Sequence, residues 1–143
     1  MIKAQAAILG ALALGSCALQ PTKDKVCPGA DLRFGRSSQM DVYLYTDFHG
    51  AFAFTPACPD EVFVAMAVME PSEARYRFWD RVRSFKDQSV LHQPPPRAIV
   101  VARIDYPAHG TSAPVLHITE VISMEAGNWE AIAKAFPNSG FVP

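Results

Sequence analysis

The stretch EVFVAMAVMEPSEARYRFWDRVRSF, residues 61–85, decides how the chain is read. Its first nine residues, EVFVAMAVM, form a continuous apolar run short enough for a buried strand. Periodicity alone also allows a buried helix, but the valines and the prolines that bound the run favour a strand. The pattern changes at Glu70. Pro71 suits the first helical position, and Glu73 complements the positive end of a helix dipole. Ala74, Phe78, Val82 and Phe85 then recur at helical spacing and make one apolar stripe. Glu73–Arg77 and Arg83–Asp87 are opposite charges one turn apart on the wet side. The segment therefore reads as a buried strand that hands over to an amphipathic helix spanning about residues 71–87.

Upstream, MDVYLYTD (40–47) alternates, with Val42, Leu44 and Thr46 on one face and Tyr43 and Tyr45 on the other. Phe48-His49-Gly50 reads as a turn, and AFAFT (51–55) alternates Phe52 and Phe54 with small residues, so the two runs predict a β-hairpin. Pro56, Pro59 and Asp60 punctuate the loop that follows. Downstream, His92-Gln93 and the triple proline 94–96 interrupt the chain. RAIVVARIDY (97–106) and VLHITEVISM (115–124) read as strands joined by the turn-rich PAHGTSAP (107–114). A short terminal helix follows, with Asn128 as N-cap, Trp129, Ile132, Ala133 and Phe136 on one face, and Pro137 ending it. DLRFG (31–35) offers a further leading strand.

Three strands, a helix and two strands is an order similar to that of the OB-fold, a small Greek-key barrel. The resemblance is one of architecture, carries no fingerprint residues and spans about residues 31–124. It implies a mainly β (α+β) domain, a small OB-like β-barrel with its long helix plugging the base, plus a short C-terminal helix. It also implies a ligand-binding face bearing Tyr43 and Tyr45, with Phe52 and Phe54 close by, flanked by the loops after the first and fourth strands. The plainer reading of these aromatics is packing, with phenylalanines filling the barrel and tyrosines covering its second face. A different α+β meander gives the same element string.

The amino-terminal segment bears on location. Met1-Ile2-Lys3 carries one positive charge and precedes AQAAILGALALG, the layout of a secretory signal peptide. The apolar run is too short to cross a hydrocarbon core, which takes about 20 residues. Leu14-Gly15-Ser16-Cys17 resembles the lipobox of bacterial lipoproteins, a likeness confined to residues 1–18. The resemblance implies cleavage before Cys17 and attachment of fatty acyl chains such as palmitate to it. It further implies membrane anchoring in the cell envelope, facing the periplasm. Ala18, where an aspartate commonly retains such proteins at the inner membrane, implies the outer membrane if the host has one. A simple secretory signal would instead release a soluble periplasmic protein. The expected organisation is a signal peptide at 1–16, a lipidated tether at 17–25 and a single domain at 26–143, with ALQPTKDK as the polar spacer.

Three cysteines are present, an odd count that leaves one thiol over in an oxidising compartment. If Cys17 is acylated, Cys27 and Cys58 remain as a disulfide pair closing a loop of about 32 residues, worth roughly 3–4 kcal/mol. Zinc is the rival for these two, but neither a CxxC spacing nor a histidine pair accompanies them.

The remaining chemistry narrows the function classes. Net charge is −1, so the chain has no basic excess with which to neutralise phosphates, and nucleic acid is disfavoured as a partner. The four histidines, His49, His92, His109 and His117, show no metal-ligand spacing, although His109 and His117 flank one turn. No metal or cofactor is expected. There is no GxSxG and no glycine-rich phosphate loop. Asp60-Glu61 reads as an exposed strand entrance and Asp47 as a turn former beside His49. Arg75, Arg77, Arg81 and Arg83 make the predicted helix locally basic, and Arg77 and Arg81 lie one turn apart. Glu73, Asp80 and Asp87 are interspersed, which fits a solvated face. With no catalytic constellation identified, the expected function is a non-enzymatic cell-envelope lipoprotein. It would serve as a binding or structural module for an envelope protein, peptide or glycan. An envelope enzyme acting through other residues is the alternative.

Overall fold

A computed structural model describes residues 36–86, 93–105 and 113–138. The signal segment with Cys17, the tether, Cys27, the 31–35 stretch, Asp87, His92 and His109 lie outside the described residues. The elements are β1 (Ser38–Asp47), β2 (Gly50–Thr55), β3 (Cys58–Ala67), α1 (Ser72–Ser84), β4 (Arg97–Asp105), β5 (Val115–Glu125) and α2 (Trp129–Ala135). The domain is mainly β, and its elements follow the chain order expected from the sequence.

Boundaries shift where prolines act. Pro59 and Asp60, expected in a loop, belong to β3, and only Pro56-Ala57 separate it from β2. A proline near the start of a strand costs the ladder little. Pro71 is the N-cap of α1 rather than its first helical residue, because its ψ of 171° keeps it extended. The Glu70–Pro71 peptide is cis.

All five strands form one mixed sheet. β1 pairs antiparallel with both β2 and β4, β2 with β3, and β4 with β5. The order in the sheet departs from the order in the chain, because β5 lies between β3 and β4 and pairs parallel with β3 over Val64–Ala67 and Val115–Ile118. With β4 back against β1, the sheet closes on itself. Parallel neighbours cannot be joined by a tight turn and need a crossover. Here α1 and β4 make it.

Alternation sorts the side chains. Met40, Val42 and Leu44 of β1 point inward, as do Phe63 and Ala65 of β3, Ala98 to Ile104 at every second position of β4, and Leu116 and Ile118 of β5. β2 contributes Ala53 and the buried Thr55 to this side. Phe52 and Phe54 therefore do not fill the interior as the packing reading had it. Phe63 is the large aromatic there, fully buried. From α1, Phe78 and Val82 join the core, with Met69 of the preceding connection.

The outer surface is partly covered by α2. Asn128 Oδ1 accepts from the Glu130 and Ala131 amides at 2.8 and 3.2 Å, which starts the helix as the sequence predicts. Ile132 and Phe136 pack on Tyr43, with the Tyr43 and Phe136 rings edge to face at 5.6 Å. The approach to α2 is fixed by Gly127, where any Cβ would collide with the Pro95 carbonyl. The prolines are thus more than a stop, and Pro96 also accepts the Leu44 amide at 3.0 Å.

Phe78→Ala removes a ring from this closed interior and is expected to lower stability by about 3–5 kcal/mol. Tyr76→Ala, on the same helix but 71% exposed, should change it by under about 0.5 kcal/mol. Urea unfolding of both variants measures the contrast, and equal effects would place α1 away from the core.

Candidate functional site

The register aligns large side chains across the outward face of four strands. Tyr45 lies opposite Phe52, Phe52 opposite Val64, and Val64 opposite Val115. These residues alternate with the inward set, so they share the solvent side of the sheet. Val62 and Met66 of β3 flank the row on the same face, 44% and 47% exposed, and Tyr45 is 41% exposed. Phe48, in the β1–β2 turn, is 90% exposed. A single exposed hydrophobe is ordinary on a protein surface, so the grouping on one face is what makes this row a candidate.

Local chemistry shapes the turn end of the row. Asp47 Oδ1 accepts from the amides of His49 and Gly50 at 2.7 and 3.2 Å, the turn-forming role expected for it. Gly50 has φ of 145°, a conformation that suits only glycine well. The turn therefore projects Phe48 and His49 together, with ring centroids 3.8 Å apart. Lys86 donates to the Thr46 carbonyl and sits 4.7 Å from the Tyr45 ring centroid, which gives that end of the row a cation.

The next row across the sheet is polar. Met66 lies opposite His117, and His117 opposite Arg103. His117 Nε2 is 2.9 Å from Asp105 Oδ2, and Arg103 Nε is 3.2 Å from the same oxygen. His117 Nδ1 is buried and makes no hydrogen bond among the described residues. The chain thus sets a charged border beside the apolar row. Among the described residues no group of three or more side chains is placed to hold a metal ion.

The sequence-derived candidates separate. Tyr45 stands on the open face, whereas Tyr43 is 4% exposed beneath α2 and closed to a ligand. The two share a face of β1, but only one is left uncovered. Cys58 is 1% exposed at the start of β3, and Cys27 lies outside the described residues. Arg77 and Arg81 line a groove of about 790 Å³ between α1 and β5. Arg83 instead pairs with Asp80 at 2.7 Å on the exposed helix face. Val62, Val64 and Met66 were hidden in the continuous apolar run. Their signal was the alternation of larger side chains with Ala65 and Ala67, which marks an outward and an inward side.

A second network pins the covered end of β1. Arg97 Nε and Nη2 grip both carboxylate oxygens of Asp41 at 2.7–3.1 Å, and Nη1 reaches Glu125 at 3.3 Å. The hydrogen bond to Asp41 raises the Arg97 pKa further above its ordinary value. Burial pushes the neighbouring Tyr43 hydroxyl up, with Arg97 opposing and Asp41 and Glu125 adding to the rise.

Compared with protein-family models, curated proteins and solved structures, the chain has no match.

A tyrosine raised in the folded state keeps its proton while the unfolded chain loses one. The resulting stability is complete below the unfolded tyrosine value of about 10 and is lost as pH rises through the folded value. Urea midpoints of wild type should therefore fall between about pH 9 and pH 11. Tyr43→Phe should flatten that alkaline slope, and an unchanged slope would mean Tyr43 is not the group responsible.

Proposed function

We propose that this chain is a non-enzymatic lipoprotein of the cell envelope whose OB-like domain binds an envelope partner through the outward face of β1, β2 and β3. The observation that carries the reading is the row Tyr45–Phe52–Val64, exposed at Tyr45 and half-buried at Phe52 and Val64, while α2 covers the adjacent Tyr43. The ring of pairings β1-β2-β3-β5-β4 with α1 between β3 and β4 supports an OB-like barrel, and such barrels take ligands on this face. A short hydrophobic row with a charged border suits a protein, peptide or glycan surface, since apolar area supplies affinity and border charges supply register.

The anchor is the lipobox cysteine, Cys17. Several acyl chains on it would hold the protein at a membrane, because each buried methylene contributes about 0.8 kcal/mol and one chain alone binds only reversibly. Cys27 is the proposed disulfide partner of Cys58. That pairing ties the start of the domain to the β2–β3 turn and leaves Cys17 for acylation.

Feeding cells a labelled fatty acid tests the anchor. Wild type should carry label and sediment with membranes, and Cys17→Ser should do neither. Capture from detergent-solubilised envelopes tests the face. Wild type should retain a specific partner that the double variant Tyr45→Glu, Met66→Glu loses while remaining folded. A soluble, unlabelled wild-type protein, or a partner indifferent to both face substitutions, would contradict the proposal.

A further inference from the structure

We propose that the open edge of β5 takes up an extended peptide segment of a partner protein as an added strand, in the groove between β5 and α1. This site is separate from the aromatic face and stands whether or not that face binds. β5 is eleven residues long, yet β3 pairs only with its first four, Val115–Ile118. Among the described residues the last backbone bond on that side runs from the Val68 amide to the Ile118 carbonyl at 2.8 Å. Beyond it β5 continues beside β4, and among the described residues no strand lies on its other side. A strand with one neighbour leaves alternate N–H and C=O groups without a ladder partner.

The helix α1 stands across from this edge. Arg81 Nη2 donates to the Met124 carbonyl at 3.4 Å, so one backbone acceptor of the edge already takes a donor from across the gap. Between them lies the groove of about 790 Å³, whose apolar lining includes Met69, Phe78, Val121, Ile122 and Met124. A seven-residue edge is about 23 Å long at strand spacing, enough for a short peptide.

The chemistry of the edge selects the occupant. An unpaired row of amides and carbonyls is best satisfied by another extended backbone, and an apolar floor accepts every second side chain of it. Charge sets the direction. Glu70, Glu73 and Glu120 gather near the end where β3 leaves β5, whereas Arg77 and Arg81 lie along α1 toward Met124. The groove therefore fits a peptide with a basic residue at one end, an acidic residue at the other and apolar residues at alternate positions between them. Two bulges in the β4–β5 pairing, skipping Thr119 and Ile122, twist this edge. That twist disfavours a long flat partner such as a second copy.

Panning random nine-residue displayed peptides against the full-length protein in detergent tests the site. The expected result is enrichment of alternating apolar sequences with opposite charges at their ends. Ile122→Lys, at a residue 52% exposed, should weaken the selected peptide about tenfold or more by charging the edge. Ala74→Trp should weaken it similarly by filling the groove from the helix side, and Tyr45→Ala should leave it unchanged. No enrichment, binding that survives both groove variants, or a dimer that Ile122→Lys dissolves would overturn the proposal.

Discussion

Four parallel pairings, Val64 to Ala67 with Val115 to Ile118, hold the rest of the structure in place. They join strands far apart in the chain and bring the sheet round on itself. The interior is then sealed from water, so that Phe63 and Leu44 are fully buried. Because neighbouring strands run the same way there, the chain must cross between them, and α1 packs Phe78 and Val82 into the core on that path. The pairing is also short. Where it stops at Ile118, β5 runs on paired with β4 alone among the described residues, and the groove beside α1 begins.

Much of this was legible in local sequence. The alternation in 40–55 predicts the β1–β2 hairpin, Asp47 its turn and Asn128 the start of α2, because each rests on contacts within a few residues. The spacing of Phe78 and Val82 likewise announces the buried side of α1. The insertion of β5 between β3 and β4 was not legible, since pairing between distant strands leaves no mark in a short window.

The candidate face was read in part for the same reason. Tyr43 and Tyr45 look equivalent in sequence, and their difference comes from Ile132 and Phe136, about ninety residues away. The β3 run seemed apolar on both sides because its outward residues are hydrophobic too. That property hid them as candidates and leaves Val62 and Met66 exposed, with Val64 half-buried between them. In physical terms, β3 is apolar on both faces and covered on only one, which is why alternation did not mark its two sides.

The outward surface of the sheet is thus covered unevenly. α2 and the Arg97–Asp41 grip stabilise one part, while the β1–β2–β3 face stays open. Site-specific photocrosslinking in living cells tests that division directly. A photoreactive residue at Tyr45, Phe48, Val62 or Met66 should yield one discrete adduct, and the same residue at Arg75 or Tyr76 on the wet side of α1 should yield none. Adducts from the helix positions with a silent strand face would contradict the account.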